Sequence, residues 1–341
     1  MAKSDSLDLL IVGAGPCGLA AAISAMRAGL SVEVVEATVV VASIAQYPTY
    51  ATFFSTAEKL SLGDIPFVTA TEKPTRRDAL AYYRMIVRHF HIPVHQYERV
   101  IRITGGAGEF RVQTASSTGE VARRKAKAIV IATGYFGSPN LLKVAGEDLS
   151  HVTHIYREGH ESFDQDVVVA GGGNSAAEAA LDLWRSGARV TLVHFLPGFD
   201  KKIKPWVLPD FENRVKDGSI TVQWSARITK IEPDAVTVDS GGKLTKLPAS
   251  RVYLMTGFAP NVDLLRDMGV PIDEKTGIPQ HDPNTLETAI PGVFIAGVVV
   301  AGFDANKVFI ENGRFHGDKI VARIVGTTPP PEPKLSAELD T

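Results

Sequence analysis

One unit of about 30 residues occurs twice in the chain, and this repeat constrains the fold more than any other feature. In the first copy an apolar run, Asp8-Leu9-Leu10-Ile11-Val12, reads as a strand and leads into Gly13, Gly15 and Gly18. A helical stretch from Leu19 to Arg27 ends near Gly29, and a second strand, Val32 to Val35, ends at Glu36. The pattern returns 158 residues later. Asp166-Val167-Val168-Val169 is a strand, and Gly171, Gly173 and Ala176 follow it. A helix from Ala177 to Arg185 stops at Gly187, and the strand Val190 to Val193 ends at His194.

A G-x-G-x-x-G spacing alone is weak, because any tight turn can use it. Here each copy lies between a strand and a helix, the βαβ setting that gives the spacing meaning. The glycines permit a tight turn and close approach of the backbone to a pyrophosphate, which sits on the helix N-terminus. Two such turns predict two dinucleotides, one held by Gly13, Gly15, Pro16 and Gly18, the other by Gly171, Gly173, Asn174, Ser175 and Ala176. Glu36 stands 23 residues after Gly13, where a carboxylate holds ribose hydroxyls; FAD and NAD both suit it. His194 takes the equivalent place in the second copy, so no carboxylate there repels a 2′-phosphate. Lys201, Lys202 and Lys204 lie just beyond and can pair with one, although they read equally well as a solvated loop. NADP(H) is therefore expected over NAD(H).

Further buried strands are expected at Ala128–Ile131, which runs into Ala132-Thr133-Gly134, at Arg251–Leu254 and at Val293–Ala296. Segments 101–114 and 228–238 alternate apolar and polar residues, as antiparallel inserts do. The expected fold class is α/β, with two Rossmann-like, three-layer dinucleotide-binding domains and the second inserted in the first. The limits read as 1–155, 156–255 and 256–326, with a Pro- and charge-rich tail at 327–341 expected to be disordered. A length of 341 residues suits two domains.

A net charge of −2 offers no basic footprint for nucleic acid or an anionic membrane. Met1 to Asp8 is polar and unlike a signal peptide, and no apolar run is long enough to span a bilayer, so a cytoplasmic protein is expected. The one cysteine, Cys17, rules out an intramolecular disulfide, an all-cysteine metal site and a two-cysteine relay within one chain. His89, His91 and His95 are irregularly spaced, and no metal site is expected from them.

Taken together, the two glycine motifs, Ala132-Thr133-Gly134, Thr256-Gly257 and Gly292-Val293-Phe294-Ile295-Ala296-Gly297 resemble the thioredoxin-reductase-like pyridine nucleotide flavoproteins over about residues 7–325. A narrower set resembles the YpdA-type bacillithiol disulfide reductase family. It comprises Gly15-Pro16-Cys17-Gly18-Leu19, Tyr47-Pro48-Thr49, Thr52-Phe53-Phe54-Ser55, Lys59-Leu60-Ser61 and Gly63-Asp64-Ile65-Pro66-Phe67. It continues with Ala132-Thr133-Gly134-Tyr135, Phe163-Asp164-Gln165-Asp166, Ile203-Lys204-Pro205-Trp206, Asp304-Ala305-Asn306, Phe309-Ile310-Glu311-Asn312-Gly313 and Phe315-His316-Gly317. The resemblance implies FAD in the first domain, with Ala132, Thr133, Gly134 and Gly297 on it, NADPH in the second, a low-molecular-weight disulfide as substrate, a domain rotation and a homodimer. Two features depart from thioredoxin reductases. Residues 154–160 hold no Cys-x-x-Cys, and Val298 stands where those enzymes have an aspartate on the flavin chain; Asp304 is offered as its replacement. Separately, Phe195 stands where related NADPH enzymes place an arginine.

Cys17 opens the first helix, where backbone N–H groups and the helix dipole favour thiolate. As a nucleophile it would attack a disulfide; as a small residue it would only fill the turn, and FAD pyrophosphate beside it would oppose ionisation. Glu311 and His316 could approach the flavin or simply pack, and Tyr47, Phe53 and Phe54 could line a pocket or the core. A ferredoxin- or flavodoxin-NADP reductase, a flavin monooxygenase and a non-enzymatic NADPH or redox sensor stay open as alternatives on the same scaffold.

Overall fold

The computed structural model describes residues 6–199, 203–304 and 307–332. The first copy of the repeat forms β1 (Leu7–Val12), α1 (Pro16–Arg27) and β2 (Val32–Val35). Helices α2 (Ala42–Ala45) and α3 (Arg76–His89) follow, then β3 (Val94–His95), β4 (Glu98–Thr104), β5 (Phe110–Ser116), β6 (Val121–Ile131) and β7 (Val152–Thr153). The second copy forms β8 (Asp166–Ala170), α4 (Asn174–Arg185) and β9 (Arg189–Val193). After it come α5 (Leu208–Lys216), β10 (Ile220–Gln223), β11 (Arg227–Glu232), β12 (Ala235–Ser240), β13 (Lys243–Pro248) and β14 (Arg251–Leu254). The chain finishes with α6 (Asp263–Asp267), β15 (Val293–Ile295), α7 (Ile310–Gly313) and α8 (His316–Val325).

These elements form two compact units. The first takes the chain up to Ala45, Thr52–Ser138 and the chain from Ala259 onward. Its sheet runs β3-β2-β1-β6-β5-β4, with β15 also paired to β6. Strand β1 lies between parallel partners, Leu9 standing opposite both Val32 and Ala128. Leu9, Leu10 and Ile11 are wholly buried, as expected of a strand covered on both faces. The second edge of β6 is shared: residues 121–126 pair antiparallel with β5, and 129–131 pair parallel with β15. The alternating segment at 101–114 thus becomes part of a β4-β5-β6 meander.

The second unit takes Gln46–Ala51 and Pro139–Phe258. Its main sheet is wholly parallel, in the order β10-β9-β8-β14-β7. A separate antiparallel sheet, β11-β12-β13, contains the alternating segment at 228–238. The unit starts earlier and ends later than the expected 156–255. Asn140 explains both shifts: its N–H donates to Gly257 O (3.0 Å), and its carbonyl accepts from Thr256 Oγ1 (2.6 Å). Strand β7 and Ala145, which bridges Lys230, also lie before the expected start. Residues 46–51 join this unit with no periodicity to announce them; the Thr49 N–H donates to Arg157 O.

Helices α1 and α4 end alike. Gly29 and Gly187 have φ of +76° and +86°, and the amides of Leu30 and Ala188 reach back to the carbonyls of Ala25 and Leu183. Helix α1 starts at Pro16, three residues before the expected Leu19, because proline at the first helical position has its φ already set. Among the described residues no helix is long and apolar enough to cross a membrane. Of the tail, 333–341 lies outside the described residues; 327–332 has no regular structure, and Glu332 pairs with Lys319 at 2.7 Å.

Candidate nucleotide sites and the Cys17 pocket

The first glycine turn is shaped by two close approaches. Gly13 has φ +108°, and a Cβ there would come within 2.4 Å of Ala132 O. A Cβ on Gly18 would come within 2.0 Å of Gly13 O. These contacts draw the end of β1, the start of α1 and the Ala132-Thr133-Gly134 turn together. Gly15 differs: a Cβ there would meet nothing within 4 Å, and no side chain caps this helix start. The turn is thus closed behind and open in front, which fits a pyrophosphate on the helix N-terminus. At the end of β2, Glu36 is buried and oriented by three donors. The Ala14 N–H reaches Oε2 (2.9 Å), while the Thr38 N–H and hydroxyl reach Oε1 (2.9 and 3.1 Å).

Cys17 lies in the first turn of α1, but burial pushes its thiol up to about 12, and the charge of Glu311 adds to the rise. The expectation that the helix start favours a thiolate is therefore not met: burial and the neighbouring carboxylate both favour the thiol. Two glycines from far along the sequence enclose the sulfur. A Cβ on Gly297 would lie 3.2 Å from Sγ, and one on Gly313 would lie 2.7 Å from it. Glu311 accepts a hydrogen bond from the buried Ser55 hydroxyl. His316 is buried as well, and its Nδ1 accepts the Gly297 N–H at 3.1 Å. That bond leaves the ring proton on Nε2, and burial lowers the imidazole to about 4, so the ring is a neutral donor. Glu311, His316 and Gly297 thus gather around Cys17. Asp304 does not join them; it is exposed, 3.6 Å from Lys307 Nζ. Tyr47 belongs to the second unit and Phe53 and Phe54 to the first, with Phe54 on the surface.

The second turn repeats the first. Gly171 has φ +142°, and a Cβ there would approach Met255 O to 2.4 Å. Gly173 is open, and no side chain caps α4. Ala176 is buried behind the turn, and Ser175 is exposed. Asn174 Oδ1 accepts the Lys204 N–H at 3.1 Å, tying the following loop to the helix start. His194 departs from expectation. It is only 3% exposed, and its ring lies over Gly172, where a Cβ would come within 2.0 Å of it. His194 therefore packs under the turn and shows almost no surface to a nucleotide. Gly172, outside the G-x-G-x-x-G pattern, is the residue that makes room for it. Lys201 and Lys202 lie outside the described residues; the Lys204 ammonium sits 5.7 Å from the Trp206 ring centre.

Three comparisons bear on this arrangement. A family model described as pyridine nucleotide-disulphide oxidoreductase matches residues 10–297. Bacilliredoxin reductase Bdr of Bacillus subtilis (strain 168) is 45% identical over 317 residues, covering 92% of this chain and 96% of the relative. The solved structure of bacillithiol disulfide reductase Bdr (YpdA) from Bacillus cereus has a TM-score of 0.91 at 44% identity, over 94% of this chain and 99% of that one. Its counterpart from Staphylococcus aureus has a TM-score of 0.87 at 40% identity, over 94% and 98%.

Proposed function

The chain belongs to the pyridine nucleotide-disulphide oxidoreductase family, and from that premise we propose that it is an FAD-dependent NADPH oxidoreductase that reduces a low-molecular-weight disulfide of the bacillithiol type. The observation that carries this reading is the doubled strand–turn–helix, open at Gly15 and again at Gly173, in a chain so close to a bacilliredoxin reductase. We assign FAD to the first unit, on Gly13, Gly15, Pro16, Gly18, Glu36, the Ala132-Thr133-Gly134 turn and Gly297. We assign NADPH to the second, on Gly171, Gly173, Asn174, Ser175 and Ala176.

When bound, the two cofactors supply a hydride and a store for its two electrons. The chain's own residues orient and protect. Glu36 is held ready for ribose hydroxyls by Ala14 and Thr38. His316, neutral and proton-bearing at Nε2, donates without adding charge. Cys17 is the thiol assigned to meet the disulfide, and it must first lose its proton. The charge of Glu311 opposes that loss, so Glu311 sets how readily the thiolate forms.

The test is direct. Purified protein should bind one FAD per chain, and NADPH oxidation should rise with bacillithiol disulfide but not with ferredoxin. Cys17→Ser should abolish disulfide turnover while FAD stays bound and NADPH still bleaches it. Turnover unchanged in that variant removes Cys17 from the mechanism, and a colourless protein that takes up no FAD removes the whole reading.

A further inference from the structure

A βαβ dinucleotide site reads the coenzyme's 2′ position at the end of its second strand, with a carboxylate for a hydroxyl or an arginine for a phosphate. Here that strand is β9, and neither of the two residues directly after it offers an exposed charge. His194 is buried against Gly172, while Phe195 is 51% exposed and apolar. A cation reaches the strand end from elsewhere in the same unit. The His194 carbonyl accepts the Ala226 N–H at 2.9 Å, and the Leu196 carbonyl accepts the Ser225 N–H at 3.0 Å. These two bonds lay the start of β11 beside the end of β9. They bring Arg227 to the strand end, with its guanidinium carbon 4.8 Å from the centre of the Phe195 ring.

Arg227 is exposed, and among the described residues no ion pair engages it. Asp239 stands opposite it in the β11–β12 register, but Oδ1 of that carboxylate accepts the Gly242 N–H at 2.7 Å. A planar guanidinium stacked on an aromatic face is oriented before any ligand arrives, and its fork of donors matches a phosphate.

We propose that Arg227, laid on Phe195, is the residue that selects NADPH over NADH by pairing with the 2′-phosphate. This rests on the NADPH reading above and supplies the arginine that the residue after β9 lacks. The FAD-loaded protein should be titrated calorimetrically with 2′,5′-ADP and with 5′-AMP, which differ only in that phosphate. Wild type should prefer 2′,5′-ADP. Arg227→Ala should weaken 2′,5′-ADP by about 10- to 100-fold, the usual effect of losing a charge-assisted hydrogen-bond pair, and leave 5′-AMP unchanged. Arg227→Lys should fall between, and raising salt should weaken 2′,5′-ADP binding less in Arg227→Ala than in wild type. A preference that survives Arg227→Ala to within about twofold overturns the proposal and leaves the NADPH reading standing. A wild type with no preference overturns that reading and the proposal with it.

Discussion

A thiol at a helix start is pulled two ways. The dipole and the free N–H groups favour thiolate, while burial and a neighbouring carboxylate favour thiol. At Cys17 the second pair wins, because Gly297 and Gly313 close over the sulfur and Glu311 faces it. The helix start is legible in the sequence; the lid is not, since its glycines lie hundreds of residues downstream. His316 gives a measurable counterpart. Burial chiefly, and then the charge of Lys319, lower its imidazole from 6.5 to about 4. Above pH 6.5 the ring is neutral in both folded and unfolded chains, and its contribution to stability is complete. As pH falls toward 4 the unfolded chain takes up the proton first, so that contribution is lost, up to about 3 kcal/mol. His316→Gln should therefore show a shallower loss of stability between pH 6.5 and 4, read from urea midpoints. Equal slopes in the two proteins would contradict a buried neutral ring.

At the level of elements, the packing of α8 on α1 depends on one small residue. A Cβ on Gly317 would come within 2.5 Å of Ala21 Cα, a backbone atom in the middle of α1. Gly317→Ala should cost about 1–3 kcal/mol and lower the melting temperature, because the helices must separate to admit the methyl group. An unchanged melting temperature would mean that α8 slides freely on α1. The sequence marks α1 and α4 by their apolar runs and closing glycines, and both form. It gives no sign of β13, most of whose residues are exposed and which therefore lacks the alternation that betrayed β4, β5 and β11. Nor does it reveal the burial of His194, which depends on the missing side chain at Gly172.

For the whole molecule, two compact units with separate cores imply two ligand-responsive stabilities. Calorimetry of the protein should show two transitions, because multidomain chains depart from all-or-none unfolding. Excess FAD should raise the transition of the first unit and NADP⁺ that of the second, each by mass action. A single transition moved equally by both ligands would show that the units unfold together. Residues 46–51 make the division less simple than a clean insertion, since this short stretch leaves the first unit's chain to bond with Arg157.

The two βαβ units and the glycine turns that open their helices were determined by the sequence alone. Apolar runs, helix stops and the need for positive φ are local properties, and each is written within a few residues of where it acts. The family resemblance rests on the same local marks. Tertiary structure decided the ionisation of Cys17, the retreat of His194, the arrival of Arg227 beside Phe195 and the limits of the units. Each depends on groups that meet only after folding, and burial and charge act through space rather than along the chain.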